Sequence, residues 1–448
     1  MLALLPHPSL SGDFCMIRKS FLRASLLSTG LAIVAATGTL ISPTSPVRAA
    51  WQQDSPKAVL DEAWQIVNRE YVDGSFNKND WQAVRTSLIT PDYNTKEQAY
   101  GALRKALKLL EDPYTRFMDA KQFESLTSQT SGDLEGVGIR LEADAKTKVL
   151  TVVEPLPNSP ASRADIRSND KVLFIDGRTT KGMSVEDASS LIRGKGGTPI
   201  TLKIERDGKL LKFPLVRAKI ELQAVRYSVA QEGSTRVGFL RMSEFSSHAA
   251  DQMRQAIKTL QKDNVNGFVL DLRGNPGGLL QSSIEISRMW MNEGGIVKTV
   301  NRKGGTDELV ANRTAISDLP LVVLVDKNSA SSSEILTGAL KDNKRATIIG
   351  TQTFGKALVQ SVHPLSDGSG LAVTIAHYYT PNGTDISQKG IQPDVVLPLT
   401  REQLEKLYSN PRLLGTLDDP QYVRAVSTIT KLISQRNLGQ KPTTTSNQ

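Results

Sequence analysis

Hydrophobic residues recur at helical spacing through the part of the chain that follows residue 50. In residues 59–67, and again in residues 100–110, they return every three or four positions, which places them on one face of a helix. The sequence therefore predicts an N-terminal helical segment over residues 51–128. Residues 112–115, Asp-Pro-Tyr-Thr, are turn-forming types that end the periodic stretch. Residues 127–133 are polar and lack any period, so we expect a linker there.

The pattern changes to short runs rich in β-branched residues between residues 134 and 220. Helical spacing appears within this stretch only over residues 185–192. The strand-like runs are residues 137–141, 149–153, 171–175 and 200–204. We therefore predict a small β-rich module over residues 129–219 that contains one principal helix.

From residue 236 onward, strand-like and helix-like stretches alternate. The strand-like runs are residues 237–240, 267–271 and 321–325, and the helical patterns cover residues 249–261 and 279–291 and begin again at residue 331. Such alternation predicts an α/β core over residues 220–400 with much of its sheet buried. Residues 401–448 are expected to form C-terminal helices and a disordered polar tail. The fold class that we predict is therefore multi-domain α/β.

The first fifty residues have the pattern of a secretory signal peptide. Arg18, Lys19 and Arg23 precede an apolar stretch over residues 26–41, and residues 47–49, Val-Arg-Ala, offer small residues for cleavage. We predict a signal peptide over residues 1–50, with Met16 as the start, and therefore an exported protein. The alternative is an uncleaved membrane anchor, since the apolar stretch is near the length that spans a bilayer. Contact with a membrane is otherwise expected only through a membrane-bound substrate.

Composition limits the chemistry that the chain can perform. The 448 residues include four histidines and a single cysteine, Cys15, which signal cleavage would remove. Little material is left for a Ser-His-Asp triad, a Cys-His pair or a histidine-rich metal site, and disulfides cannot support the fold. The formal charge is +9. The basic residues of the chain are scattered and form no stripe that alternates with aromatic residues, so we expect no nucleic-acid partner.

Ser331 and Lys356 are the candidate nucleophile and base. Ser331 opens the run Ser-Ser-Ser-Glu after the strand-like residues 321–325, and a helix start there would stabilise negative charge on an attacked carbonyl. The alternative is a capping box, in which the serine hydroxyl bonds a free N–H and Glu334 reaches back. The two interpretations are compatible.

Lys356 can act as a base only if its amine is neutral, and burial among apolar neighbours favours that by lowering the amine's pKa. Phe354 and Leu358 supply such neighbours. If the segment is a strand, Gln360 lies on the same face as Lys356 and its amide can orient the amine. The alternatives are an exposed lysine after a turn glycine and a surface glutamine.

Residues 271–278, Asp-Leu-Arg-Gly-Asn-Pro-Gly-Gly, follow a predicted buried strand. A glycine-rich strand exit leaves backbone N–H groups pointing into a cleft, which suits an oxyanion donor. A phosphate-binding loop is the alternative, but no Gly-Lys-Ser/Thr follows, and residues 194–197 lack that spacing too.

Residues 136–139 and 169–177 resemble a PDZ domain. In the first stretch Gly136, Val137, Gly138 and Ile139 match the carboxylate-binding loop and groove strand of that family, and the second matches its turn, strand and Asp-Gly turn. The family often has Gly where this chain has Asp165 and Asn169, residues that tolerate turn conformations. The resemblance implies a groove in which the C-terminus of a partner adds as a strand while N–H groups hold its carboxylate.

The order of the motifs resembles the carboxyl-terminal processing proteases, or tail-specific proteases, over roughly residues 57–398. The motifs are the PDZ-like module, residues 271–278, Ser-Ala-Ser-Ser-Ser-Glu at residues 329–334 and Thr-Phe-Gly-Lys-Ala-Leu-Val-Gln at residues 353–360. Residues 112–115, 379–383 and 390–394 match as well. The resemblance implies a serine protease core of the ClpP/crotonase-like type with an inserted PDZ domain.

In that family the residue matching Ser331 is the nucleophile, the residue matching Lys356 is the base, and the residue matching Gln360 supports the lysine. The N–H of Ser332 and a glycine of the pair Gly277 and Gly278 would form the oxyanion hole. The chain departs from the family at Ser332, where alanine is common. The extra hydroxyl makes Ser332 a rival nucleophile in principle.

We expect a secreted serine endopeptidase that captures apolar C-termini of proteins or peptides and cuts C-terminal segments without a metal, nucleotide or organic cofactor. The N-terminal style resembles cyanobacterial and plastid members, for which a family role is trimming the C-terminal extension of a photosystem II reaction-centre precursor. The compartment would then be the periplasm or the thylakoid lumen. The alternatives are a non-catalytic PDZ scaffold and a binding protein for hydrophobic ligands, since relatives of the protease domain in the eye bind retinoids.

Overall fold

The protein was analysed as a computed structural model that describes residues 3–4, 55–144 and 147–439. The predicted signal segment lies outside the described residues except for Ala3–Leu4, and so does the polar tail beyond residue 439. No helix among the described residues is long and apolar enough to cross a membrane.

The described helices follow in chain order, and a 3-10 turn, Pro411–Leu413, lies between the last two. The helices are α1 (Pro56–Glu70), α2 (Trp81–Ile89), α3 (Lys96–Lys108), α4 (Ala120–Ser131), α5 (Pro160–Arg163), α6 (Val185–Ile192), α7 (Ala249–Lys262), α8 (Leu280–Trp290), α9 (Ser332–Asp342), α10 (Arg401–Ser409) and α11 (Pro420–Gly439).

Within the described part of the chain, the strands form four sheets. They are β1 (Ala3–Leu4), β2 (Arg116–Met118), β3 (Asp133–Gly136), β4 (Ile139–Ala143), β5 (Leu150–Pro155), β6 (Lys171–Ile175), β7 (Arg178–Thr179), β8 (Pro199–Arg206), β9 (Lys209–Val216), β10 (Ala218–Glu221), β11 (Val225–Glu232), β12 (Thr235–Met242), β13 (Gly267–Asp271), β14 (Gly295–Asn301), β15 (Thr306–Val310), β16 (Leu321–Val325), β17 (Thr347–Gly350), β18 (Leu358–Pro364), β19 (Gly370–Tyr379) and β20 (Val395–Val396).

The N-terminal helices pack around one apolar core, as the periodicity predicts. Helices α1, α2 and α3 bury their apolar faces together with Leu371 and Val373 of β19, so the segment is joined to the rest of the molecule through that strand. The expected linker over residues 127–133 is wrong. Helix α4 continues to Ser131 because Asp119 caps its start and Gly132 ends it in a left-handed conformation. No residue of α4 is fully buried, so its sequence lacks the period that reveals a helix.

The β-rich module contains the strands and the helix that the sequence predicts. Its sheet runs β4-β5-β6-β8-β9, with β7 paired to β6, and α6 packs beside β4. The short pair β3 and β10 joins the module to the core, since both chain crossings pass through it.

The central sheet of the core is buried on both sides. Its order is β11-β12-β13-β16-β17-β20, and β12 to β20 are parallel. All five residues of β16 are buried. Leu321, Val323 and Val325 face α7, α8 and α9, while Val322 and Leu324 face α11. An apolar run without alternation is what such a doubly covered strand requires.

A second sheet, which the sequence did not predict, packs against α9 through β14. It has the order β1-β18-β19-β14-β15, with β2 paired to β19. Strand β18 follows the Lys356 loop, and β19 contacts the N-terminal helices through α1. The sheet therefore joins the N-terminal segment to the candidate chemistry.

A buried ionic network ties the C-terminal helix to the strand exit at residues 271–278. The Arg273 guanidinium donates two hydrogen bonds to Asp271, at 2.8 Å each. It also donates to both oxygens of Asp419, just before α11, at 3.0 and 2.6 Å. Both carboxylates are fully buried. Burial alone would raise the pKa of Asp271, but the charge and hydrogen bonds of Arg273, together with the charge of Arg241, lower it overall.

Replacing Arg273 is therefore expected to be strongly destabilising. Arg273→Met leaves two buried carboxylates without their shared cation, which costs about 3–5 kcal/mol of unfolding free energy. Urea denaturation measures the loss. The matched control is Arg401→Met, which removes the exposed pair with Glu405 and is expected to cost under about 0.5 kcal/mol. Equal midpoints for the two variants would contradict the role assigned to the network.

Candidate active site

Ser331 sits at the turn between β16 and α9 in a backbone conformation that is uncommon for a residue with a side chain. Its φ is 56° and its ψ is −116°. Such strain persists where the surroundings over-determine it and is frequent at functional sites. The side chain is fully buried, and its hydroxyl has no hydrogen-bond partner among the residues that the structure describes. The hydroxyl is therefore not committed to capping the helix.

The Glu334 carboxylate joins the Ser331 turn to the Lys356 loop. One of its oxygens accepts the backbone N–H of Ser331 at 2.9 Å and that of Lys356 at 3.0 Å. The other accepts the Thr353 hydroxyl at 2.6 Å and the Gly355 N–H at 2.7 Å. Glu334 thus reaches back as the capping box predicts, but it also holds a second loop. Burial raises the pKa of Glu334, although these hydrogen bonds oppose the rise.

Lys356 lies in the loop before β18, so the strand on which it would share a face with Gln360 does not include it. The amine is buried, with 3% of the residue exposed. Burial, together with the nearby charge of Arg116, lowers the pKa of Lys356 to about 7, although the charges of Asp112 and Glu334 oppose the shift. The amine nitrogen lies 4.5 Å from the centre of the Tyr114 ring. The amine thus has the burial that the base hypothesis needs.

Gln360 is fully buried on β18. Its amide nitrogen donates to the Thr374 hydroxyl on β19 at 3.2 Å. Its amide oxygen has no hydrogen-bond partner within the described part of the chain. The predicted same-face relation to Lys356 does not hold, because Lys356 precedes the strand and the pairing of β18 with β19 shifts between Val359 and Gln360. Orientation of the amine by this amide remains a prediction.

Gly277 approaches the Ser331 turn closely. A side chain on Gly277 would place its Cβ 2.9 Å from the Ser331 Cβ and 3.0 Å from the Ser332 nitrogen, and its φ of 102° also favours glycine. Its own N–H is used, because it donates to the Asn275 side chain at 2.9 Å. No hydrogen bond from the N–H of Gly278 or Ser332 occurs among residues 55–144 and 147–439. These two N–H groups are therefore unused within the described residues.

The PDZ-like residues lie at an open sheet edge. Val137 is buried in the core of the module. Gly138 has a φ of 78°, and a Cβ there would come within 2.3 Å of the Ser159 Cβ, so only glycine fits. Gly136 ends β3 and Ile139 begins β4, which pairs on one side with β5 and, within the described residues, with no other strand. The free edge beside α6 is the geometry that strand addition needs.

Sequence reasoning missed three side chains that contact these groups. The Tyr378 hydroxyl, on β19, contacts the carbonyl oxygens of Ser331 and Lys356. Asp112 and Tyr114 come from the N-terminal segment, and Asp112 accepts the Thr374 hydroxyl at 2.6 Å. The only sequence signal for the last two was the turn at residues 112–115, which gives no indication of what it contacts. A buried hydroxyl, an amine of lowered pKa and unused N–H groups are the parts that acyl transfer uses.

Comparisons with known proteins give the family. A model of peptidase family S41 matches residues 236–397, and a PDZ-domain model matches residues 151–206. A carboxyl-terminal-processing protease from Picosynechococcus sp. is 38% identical over 418 residues, covering 93% of this chain and 97% of that protein. The chloroplastic carboxyl-terminal-processing peptidase 2 of Arabidopsis thaliana is 36% identical over 394 residues, covering 85% of this chain and 75% of that protein.

A solved structure described as a photosystem II D1 C-terminal processing protease aligns with a TM-score of 0.52 and 36% identity. The alignment covers 82% of this chain and 99% of that one. The extent and identity of these matches confirm the resemblance that the motifs indicated. The chain belongs to the carboxyl-terminal-processing proteases of peptidase family S41, and it is a serine-type peptidase that carries a PDZ domain.

Proposed function

We propose that this peptidase cuts C-terminal segments from proteins with Ser331 as nucleophile and Lys356 as general base. The observation that carries the proposal is at the Glu334 carboxylate, where one and the same oxygen accepts hydrogen bonds from the backbone N–H groups of both residues. The two backbone nitrogens cannot lie farther apart than the sum of those two hydrogen bonds. One buried anchor therefore holds a strained serine and a desolvated lysine in one place.

The reaction begins with proton transfer. The neutral Lys356 amine takes the Ser331 proton, and the Ser331 oxygen attacks the scissile carbonyl carbon. The N–H groups of Gly278 and Ser332 and the start of α9 stabilise the charge on the carbonyl oxygen. The ammonium returns the proton to the leaving amine, which leaves an acyl-enzyme. Water, activated by the same amine, then releases the product.

Gln360 acts behind the lysine in this proposal. Its amide is held by Thr374, and its oxygen is buried without a partner among the described residues. Leaving a buried acceptor without a hydrogen bond costs free energy, so a donor that forms beside it during catalysis would be stabilised. The ammonium form of Lys356 would be such a donor.

The PDZ domain recognises the substrate's C-terminus through residues 136–139. An extended peptide adds to the free edge of β4, while the N–H groups around Gly138 bind its carboxylate. A cleft runs from this module to the core, and Arg140 and Glu154 line it on one side while Tyr227 and Glu244 line it on the other. Apolar C-terminal side chains would lie against the apolar residues between β4 and α6.

The substrate that we propose is a photosystem II reaction-centre precursor. The support is the name of the structural relative, a photosystem II D1 C-terminal processing protease, together with relatives named as chloroplastic. Export to the periplasm or thylakoid lumen is proposed from the signal pattern of residues 1–50.

Removing the nucleophile is expected to abolish cleavage. Ser331→Ala should lower kcat by about 10³-fold or more on a fluorescence-quenched peptide that ends in valine. Ser332→Ala is the matched control, since it loses a hydroxyl that donates to the Gly278 carbonyl at 3.0 Å but keeps its N–H. It should retain at least about a tenth of wild-type kcat. If both variants cut the peptide, Ser331 is not the nucleophile. If the wild type itself does not cut the peptide, the protein is not a protease for such substrates.

The pH dependence of kcat/KM should follow the Lys356 amine. Because only the neutral amine accepts a proton, activity should rise with pH through the amine's pKa of about 7 and fall about tenfold per unit below it. Lys356→Arg should be inactive from about pH 6 to 9, since guanidinium stays protonated. An acidic limb near the ordinary lysine value of about 10.4 would contradict the assignment.

The carboxylate of the substrate should matter to binding. Amidation of the peptide's C-terminus replaces the charged carboxylate, which would accept hydrogen bonds from the N–H groups around Gly138, by a neutral amide. It is expected to lower kcat/KM by about tenfold to a hundredfold, mainly through KM, since hydrogen bonds to charged groups contribute about 1.5–3 kcal/mol. Steady-state kinetics on the acid and amide forms of one peptide measure this. Equal kinetics would rule out recognition of the C-terminal carboxylate.

A further inference from the structure

The turn at residues 112–115 connects the N-terminal helices to the catalytic loop. Asp112 accepts the Tyr114 N–H at 2.9 Å and the Thr115 hydroxyl at 2.7 Å, so the turn is closed by its own side chains. The Thr115 hydroxyl also accepts the backbone N–H of Thr374 at 3.0 Å. Thr374 in turn holds the amide of Gln360. The turn is thereby attached to β19 beside the proposed catalytic groups.

Tyr114 presents its ring to the Lys356 amine. The amine nitrogen is 4.5 Å from the ring centre, well inside the range of about 6 Å over which a cation is attracted by an aromatic face. Tyr114 is half-buried, and burial raises the pKa of its phenol, so the phenol is neutral where the lysine titrates. The ring therefore acts on the lysine through its face and its bulk.

Three other charged groups face the amine from different elements. Asp112 lies in the turn, Arg116 on β2 and Glu334 on α9. Arg116 disfavours the ammonium, and the two carboxylates favour it. The Tyr378 hydroxyl contacts the lysine's carbonyl oxygen but brings no charge. The ring is thus a neutral partner among charges that partly cancel.

We propose that Tyr114 is a positioning residue for Lys356, supplied by the N-terminal segment, whose ring keeps water from the neutral amine and stabilises the ammonium that forms during proton transfer. The inference deepens the proposed function and rests on Lys356 being the base. The two effects have opposite signs. Exclusion of water favours the neutral amine, whereas the negative ring face favours the ammonium. Substitutions that remove one effect at a time separate them.

Three substitutions at Tyr114 are expected to move the acidic limb of kcat/KM in different directions. Tyr114→Phe keeps the ring face and should keep the limb in place. Tyr114→Leu keeps an apolar wall but removes the ring face, so the limb should move down by about half to one pH unit. Tyr114→Ala admits water, which is the larger effect, and the limb should move up by about one unit or more. The matched control is Tyr408→Leu on exposed α10, which should leave the limb unmoved.

A second readout does not depend on cleavage. In the Ser331→Ala background, with lysine labelled by ¹³C at Cε, the Lys356 signal is assigned by its loss in a variant that also carries Lys356→Ala. Its NMR titration should shift with the Tyr114 substitutions in the same directions as the acidic limb. This titration also covers any Tyr114 variant that is too slow to assay.

The outcomes separate the two proposals. If wild type cuts the peptide, Ser331→Ala does not, and the Leu and Ala variants keep both the wild-type limb and the wild-type titration, the role of Tyr114 is overturned while the proposed function stands. If Lys356 titrates near 7 but Ser331→Ala still cuts, the proposed function fails instead. A Tyr114→Phe limb displaced as far as that of Tyr114→Ala would also overturn the inference, because the ring face would then be irrelevant.

Discussion

One buried carboxylate organises the centre of this protein. Glu334 is fully buried on the first turn of α9 and accepts hydrogen bonds from four groups, two on each oxygen. A desolvated carboxylate is tolerated only when its acceptor sites are filled. The groups that fill them belong to the Ser331 turn and to the loop over residues 353–356. The hydrogen bonds that the buried carboxylate needs therefore also hold these two segments together.

Burial of Lys356 adds a second constraint. Groups from three parts of the chain face the amine: the turn at residues 112–115, β2 and α9. From β19, the Tyr378 hydroxyl contacts the carbonyl oxygen of the same lysine. Because desolvation favours the neutral amine, the packed surroundings lower the pKa of Lys356, so that the amine changes its charge near neutral pH. The N-terminal helices are attached to this region through Thr374 and the core that they share with β19. The segment is therefore held beside the residues that we propose as catalytic.

Peripheral elements hold the strand exit at residues 271–278. The Arg273 network fastens α11 to the end of β13, and Asn275 directs Gly277 against Ser331 by taking its N–H. Because the Gly277 N–H is already used, Gly278 and Ser332 are the oxyanion donors that we propose. The PDZ domain reaches the same region through the β3–β10 pair and the cleft beside Glu244. Short connections therefore link the PDZ domain to the part of the core that carries the proposed catalytic groups.

By itself the sequence determined the helical segment, the β-rich module, the alternating core and the candidate residues. Periodicity reports which face of an element is buried, and the motifs are local. It gave the end of α4, from residue 127, as a linker, because no residue of that helix is fully buried, and it left open whether Lys356 lies on a strand. Only the tertiary structure decided what Glu334, Asp112 and Tyr114 contact and which N–H groups stay unused. These depend on pairings between distant segments, such as residues 112 and 374, and hydrogen bonding and desolvation there are properties of the packed neighbours rather than of the local sequence.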